Sequence, residues 1–138
     1  MKLLIIQLSD MHFENTNQTH SIYIDKMISA IRSRLSADEC IIAVSGDMAA
    51  KGKKSDYNYV KGFIGALLRS LNGAGYRNKK IYVLSVPGNH DINFSSLDVN
   101  MSDIIEAYKN ETVEELKNRY INSMKEYFSY AAEQGGFY

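Results

Sequence analysis

The chain has 138 residues, of which 45% are hydrophobic and 23% are charged, a composition typical of one globular domain and not of a disordered chain. Its 16 basic and 16 acidic residues give a net charge of zero, so the overall charge does not indicate a nucleic-acid or membrane-surface partner. The single cysteine, Cys40, excludes an internal disulfide and a zinc-finger cluster.

Apolar residues are concentrated in three short runs, at 2–8, 40–44 and 80–86, with stretches of helical periodicity between them at 21–35 and 56–71. This β-α-β-α-β order predicts an α/β fold with a parallel-stranded, layered core and right-handed crossovers. Each run is continuous rather than alternating, which is typical of strands covered on both faces. The carboxyl ends of all three strands should therefore lie at one edge of the sheet.

Two cap signals indicate where helices begin. Ser21 is a candidate N-cap for the first helix, and Thr112 with Glu115 has the spacing of a capping box. Apolar residues then recur at helical spacing from Val113 to Ala131, which predicts one long helix. Gly135-Gly136 is expected to end it.

Each predicted strand is followed directly by polar residues: Ser9-Asp10-Met11-His12, Ser45-Gly46-Asp47-Met48 and Gly88-Asn89-His90-Asp91. The carboxyl edge of an open α/β sheet is the usual ligand-binding edge, so these clusters should converge. Carboxylates, an imidazole and an amide oxygen form a mixed set of ligands that suits Mn²⁺, Fe²⁺, Zn²⁺ or Mg²⁺. The candidate metal ligands are Asp10, His12, Asp47 and Asn89.

Two such ions would clamp a phosphate and activate water for attack on it. Asp47 follows the middle strand, so its two oxygens are candidates to bridge the ions. His90 is the candidate catalytic residue, which would stabilise the phosphate charge or protonate the leaving oxygen, with Asp91 orienting its ring. Asp10 and His12, two positions apart, are expected to bind the same ion.

The order Asp-x-His, Gly-Asp, Gly-Asn-His-Asp at residues 10–12, 46–47 and 88–91 resembles the first three motifs of the calcineurin-like metallophosphoesterases. The resemblance implies an αββα sandwich with two divalent ions, most often Mn²⁺. It implies that Asp10 and His12 bind the first ion and that Asn89 binds the second. Asp47 would bind both ions. It also implies that His90 contacts the phosphate, with Asp91 as its partner. The family's later histidine and its Gly-His-x-His motif have no counterpart, since no Gly-His pair occurs in the chain.

The resemblance therefore covers only the first half of such a domain. We expect residues 1–138 to be the truncated N-terminal part of a phosphoester hydrolase, with weak or absent metal binding and little activity by itself. A sheet face that lacks its partner sheet favours association, so a homo-oligomer is expected. With no signal peptide and no run of ~20 apolar residues, we expect a cytoplasmic protein without a membrane partner.

The alternative is a non-catalytic interaction or regulatory module that keeps the fold and has lost the metals. Nothing in the charge pattern selects nucleic acid as a substrate, and the motifs would serve monoesters and diesters equally, because they bind only the phosphate.

Overall fold

A computed structural model describes residues 1–14, 20–96, 106 and 109–133 of the chain. Its sheet has three parallel strands, β1 (Leu3–Leu8), β2 (Glu39–Ser45) and β3 (Lys80–Val86), in the order β1-β2-β3. Leu3 pairs with Glu39 and Glu39 with Lys80, so the three strands start level. The predicted α/β class, the parallel pairing and the central place of the second strand are confirmed.

Among the described residues, four α-helices have defined bounds: α1 (His20–Ile31), α2 (Lys54–Leu71), α3 (Val113–Ser123) and α4 (Lys125–Glu133). The predicted Ser21 cap is wrong, because α1 already begins at His20. This helix also ends earlier than predicted and passes into a 3₁₀ turn at Arg32–Arg34. Within the described ranges, no helix has the length and apolar character needed to cross a membrane.

The predicted long C-terminal helix is divided in two at Met124, whose backbone has φ −98° and ψ 12°. Its start is as expected, since Thr112 and Glu115 form the capping box. The break follows from the carbonyl of Ser123, which accepts a hydrogen bond from the Asn93 N–H at 3.0 Å instead of continuing the helix. The predicted terminator, Gly135-Gly136, lies outside the described residues.

One face of the sheet is buried and the other is open. The strands follow one another in the order β1-β2-β3, and the two crossovers between them have the same hand. Helices α1 and α2 therefore lie on the same side of the sheet, where they pack together. The central strand buries Cys40, Ile42 and Val44 there. The opposite face exposes apolar side chains, among them Ile5 (60% exposed) and Val86 (57% exposed). The expectation that the strands are covered on both faces therefore fails for the described residues.

Candidate metal centre

The loops after β1 and β2 are joined by backbone hydrogen bonds that continue past the strands. The N–H of His12 donates to the carbonyl of Asp47 at 2.9 Å, and the N–H of Asp10 donates to that of Gly46 at 3.3 Å. One residue on, the Phe13 N–H donates to the Met48 carbonyl at 2.9 Å. The first two polar motifs thus lie side by side, as predicted from the strand order.

Three residues of these loops have left-handed backbone conformations, with φ of 53° at Asp10, 45° at His12 and 50° at Asp47. No other non-glycine residue of the described part of the chain has a positive φ. Such a conformation costs on the order of 1 kcal/mol or more per residue, and such residues cluster at functional sites. The strain is therefore localised at the candidate centre.

Potential ligand atoms of His12, Asp47 and His90 lie within 4.8 Å of one another. The two imidazole rings, both from exposed residues, meet edge to face with centroids 4.4 Å apart. One side chain from each strand end thus contributes to a common cluster. Asp10 is not a member of this group, and its role as a ligand beside His12 stays a prediction.

The carboxylate of Asp47 is held against the third loop. Its Oδ1 accepts a hydrogen bond from the His90 N–H at 2.8 Å. This approach requires Gly88, because a Cβ at that residue would lie 2.2 Å from Asp47 Oδ1 and 2.5 Å from the Asp47 backbone nitrogen. The glycine of the third motif therefore makes room for the carboxylate of the second.

The ring of His90 contacts a backbone carbonyl instead of the predicted carboxylate. Its Nδ1 lies 3.2 Å from the carbonyl oxygen of Ala50. A carbonyl can only accept, so a hydrogen bond at this contact requires the proton on Nδ1. The role of Asp91 in orienting this ring stays a prediction.

Asp91 is fully buried, and its carboxylate accepts hydrogen bonds from four groups. Its Oδ1 accepts from the Ala49 N–H (2.9 Å) and the Tyr57 hydroxyl (2.9 Å), and its Oδ2 from the N–H groups of Gly88 (2.9 Å) and Met48 (3.3 Å). The carboxylate therefore connects the loops after β2 and β3 on their buried side. The catalytic role predicted for it receives no support from these contacts.

Tyr57 is the residue that sequence reasoning missed. It lies at 2% exposure on α2 and reaches Asp91 across 34 positions of sequence. Burial, together with the neighbouring Asp91 carboxylate, strongly raises the pKa of the Tyr57 hydroxyl. Its ring stacks on that of Tyr130 in α4, with centroids 5.5 Å apart. Helical periodicity places Tyr57 in the core, but no local pattern indicates a hydroxyl aimed at a carboxylate.

Asn89, the remaining predicted ligand, is exposed at the start of the 3₁₀ turn Asn89–Asp91. Together with His90 it lines a cavity of about 190 Å³ beside the cluster. Lys51 lines the same cavity and forms an ion pair with Glu14, which lowers the pKa of that carboxyl and raises the pKa of the lysine. The cavity thus has a cation, an amide and an imidazole at its wall.

No protein-family profile matches the chain. Over 93 residues, or 67% of its length, the chain is 31% identical to an uncharacterized metallophosphoesterase-like protein, YydB, of Bacillus subtilis (strain 168). The aligned segment spans only 18% of that relative.

Proposed function

We propose that this chain is the metal-binding first part of a metallophosphoesterase, whose complete form hydrolyses phosphomonoesters or phosphodiesters. The observation that carries the proposal is the convergence of His12, Asp47 and His90, each from a different strand end, with ligand atoms within 4.8 Å of one another. The similarity to a metallophosphoesterase-like protein supports it.

The donor chemistry fits divalent metal ions. The proposed ligands, two carboxylates, one imidazole and one amide oxygen, form a mixed oxygen and nitrogen set that suits Mn²⁺, Fe²⁺, Zn²⁺ or Mg²⁺. In the complete enzyme we propose two ions, with Mn²⁺ favoured. Asp10 and His12 would serve the first ion, Asn89 the second and Asp47 both. Bound metal would polarise the phosphoryl group and lower the pKa of water.

The other polar groups at this edge suit an anionic substrate. Lys51 and Asn89 line the cavity of about 190 Å³ next to His90, so a phosphate bound there would meet donors on several sides. In the complete enzyme His90 would contact the phosphate and either stabilise its charge or donate a proton to the leaving oxygen. Asp91 would act indirectly, by holding the loops that carry Asp47 and His90.

The chain by itself is proposed to have little hydrolytic activity. It contains three histidines and no Gly-His pair, so two ions would have few nitrogen ligands. A non-catalytic role for the isolated chain is favoured by a different observation, the open apolar face of the sheet. We propose that a second copy binds there.

The hydrolytic function is tested with p-nitrophenyl phosphate and bis(p-nitrophenyl) phosphate in the presence of Mn²⁺. The assay uses this chain and a version of the protein extended through a Gly-His-x-His segment. We expect hydrolysis by the extended protein, little by the chain alone, and loss of at least ~100-fold in kcat for Asp47→Asn in the extended protein. Asp25→Asn, an exposed site on α1, is the matched control. If the extended protein binds metal but hydrolyses neither ester, a non-catalytic interaction module would explain the chain better than a phosphoesterase.

The proposed second copy is tested by light scattering as a function of concentration. Ile5→Lys on β1 and Leu84→Lys on β3 each place a charge on the open face, so the double variant should shift an oligomeric wild type to monomer. Phe94→Lys, another exposed apolar position, is the control. A wild type that stays monomeric at millimolar concentration would contradict the proposal.

A further inference from the structure

An exposed aromatic side chain borders the cavity beside the candidate centre. Phe94, in the 3₁₀ turn Phe94–Ser96, lines the cavity of about 190 Å³ together with Asn89 and His90, and it is 51% exposed. We infer that Phe94 is the surface on which an aromatic group of the substrate stacks. The inference rests on the proposed hydrolytic function and names its substrate class, phosphoesters of an alcohol that carries a single aromatic ring. A pyrimidine nucleoside and a phenol are the two sources of such a ring.

The lining of this cavity combines polar and apolar residues. Lys51, Asn89 and His90 provide groups that suit a phosphate, whereas Ile92 and Phe94 provide apolar surface. Ligand sites typically have this composition, in which a few polar groups fix the orientation and apolar or aromatic side chains contact the rest of the ligand. His90 belongs both to the cavity wall and to the donor cluster. The group esterified to a phosphate at the cluster can therefore extend along this wall to Phe94.

The backbone that carries Phe94 is held by two other parts of the chain. The Asn93 N–H donates to the carbonyl of Ser123 at 3.0 Å, which fixes this segment to the end of α3. The loop after β2 also packs closely against it, since a Cβ at Gly52 would lie 2.6–2.7 Å from backbone atoms of residues 91–93. A side chain on a backbone held in this way loses little freedom when a ligand binds, which favours affinity.

The ring of Phe94 is not used in the packing of other aromatic side chains. Tyr57 stacks on Tyr130 in the core, but no aromatic ring of the described residues contacts Phe94. Stacking of one base on an aromatic side chain changes binding by about 5- to 150-fold. Because a cavity of about 150 Å³ can hold benzene, a volume of about 190 Å³ has room for one ring.

The inference is tested in the extended protein with substrates that differ in the ring. Uridine 5′-monophosphate and ribose 5-phosphate present the same primary phosphoester on a ribose, and only the nucleotide carries a base. Phenyl phosphate carries the alternative ring. With Mn²⁺ we expect kcat/KM to be at least ~5-fold higher for the nucleotide than for ribose 5-phosphate, the lower end of what stacking on one aromatic side chain provides.

Phe94→Leu keeps an apolar side chain but removes the aromatic face. It should reduce kcat/KM for the ring-bearing substrate at least ~5-fold and change the value for ribose 5-phosphate less than ~2-fold, whereas Phe94→Tyr should keep the wild-type preference. A loss confined to phenyl phosphate would identify a phenol as the esterified group, and a loss confined to the nucleotide would identify a pyrimidine nucleoside. The matched control is Tyr23→Leu, which removes another exposed aromatic side chain, outside this cavity, and should change none of the values.

Two results would overturn the inference. Phe94→Leu could lower kcat/KM for neither ring-bearing substrate, or it could lower the value equally for all three substrates. If either result is found in an extended protein that hydrolyses the p-nitrophenyl esters, the proposed function stands and the stacking surface fails.

A binding measurement tests the surface even if no ester is hydrolysed. Saturation-transfer NMR of the 138-residue chain with Zn²⁺ and either uridine 5′-monophosphate or phenyl phosphate should show transfer to the ring protons. The transfer should be lost in Phe94→Leu and kept in Tyr23→Leu. Such binding without hydrolysis by the extended protein would support the stacking surface and contradict the proposed function. Absence of transfer to either ring in the wild-type chain would overturn the inference.

Discussion

The candidate centre has two aspartates that differ in exposure. Asp47, together with the exposed His12 and His90, forms what we call the upper layer, and the buried Asp91 and Tyr57 form the lower layer. Asp47 is partly exposed and strained, and it accepts one hydrogen bond, from the His90 N–H. Asp91 is fully buried and accepts four. A carboxylate with all its acceptor positions filled cannot also bind a ligand, whereas one with a free oxygen can. The upper layer is therefore available for chemistry, and the lower layer holds the loops in place.

The largest expected effect comes from Asp91→Ala. The variant leaves three backbone N–H groups and the Tyr57 hydroxyl without their acceptor, at a cost of roughly 1–3 kcal/mol for each buried group that stays unsatisfied. Urea unfolding should show a loss of at least about 3 kcal/mol. Asp47→Asn, which keeps the oxygen that accepts from His90, should lose less than about 1 kcal/mol. Equal losses in the two variants would remove the distinction between the layers.

Gly88→Ala should displace the Asp47 carboxylate of the upper layer. A Cβ only 2.2 Å from Asp47 Oδ1 must displace the carboxylate or the loop, so we expect about 1–3 kcal/mol of destabilisation and at least ~10-fold weaker metal binding. The control is Gly62→Ala on α2, where an added Cβ meets nothing within 4 Å. This change should stabilise the helix by about 0.5–1 kcal/mol. Unchanged metal affinity in Gly88→Ala would show that Asp47 need not keep its position.

Two buried tyrosines provide a finer test of the lower layer. The Tyr57 hydroxyl donates to Asp91, whereas the buried Tyr130 hydroxyl has no hydrogen-bond partner among the described residues. Tyr57→Phe should therefore cost about 1–2 kcal/mol, and Tyr130→Phe should be neutral or slightly stabilising. Thermal unfolding of both variants measures the difference. A reversed order would mean that the Tyr57–Asp91 hydrogen bond contributes nothing.

The smallest expected effect is a loss of stability at alkaline pH. Burial raises the pKa of Tyr130 to about 12, and it raises the pKa of Tyr57 as well. A tyrosine whose pKa is higher in the folded state stabilises the fold fully below its unfolded pKa of ~10, and this stabilisation is lost as the pH rises further. Urea midpoints measured from pH 8 to pH 11 should fall above pH 10, less steeply in Tyr57→Phe. An identical slope in wild type and variant would contradict the account.

The sequence was informative wherever the determinants are local. Apolar runs with helices between them predicted the strands, their parallel pairing and the edge where His12 and Asp47 meet. The capping box at Thr112 was likewise predictable, because its two partners are three residues apart.

The contacts that could not be predicted join backbone groups far apart in the chain. The acceptor for the His90 ring is a carbonyl 40 positions away, and a carbonyl carries no sequence signature. The helix break at Met124 depends on Asn93, which bonds the preceding carbonyl. The one-sided covering of the sheet could not be read from the strands either, since their apolar composition does not specify what lies on each face.

The most direct test of the upper layer is an isothermal titration with Zn²⁺, which nitrogen and oxygen sites bind more tightly than Mn²⁺. The wild-type chain should bind one ion with a saturating isotherm. Asp47→Asn should bind it at least ~10-fold more weakly while unfolding at nearly the same temperature. A wild type without saturable binding, or an Asp47→Asn variant with the wild-type affinity, would contradict the account.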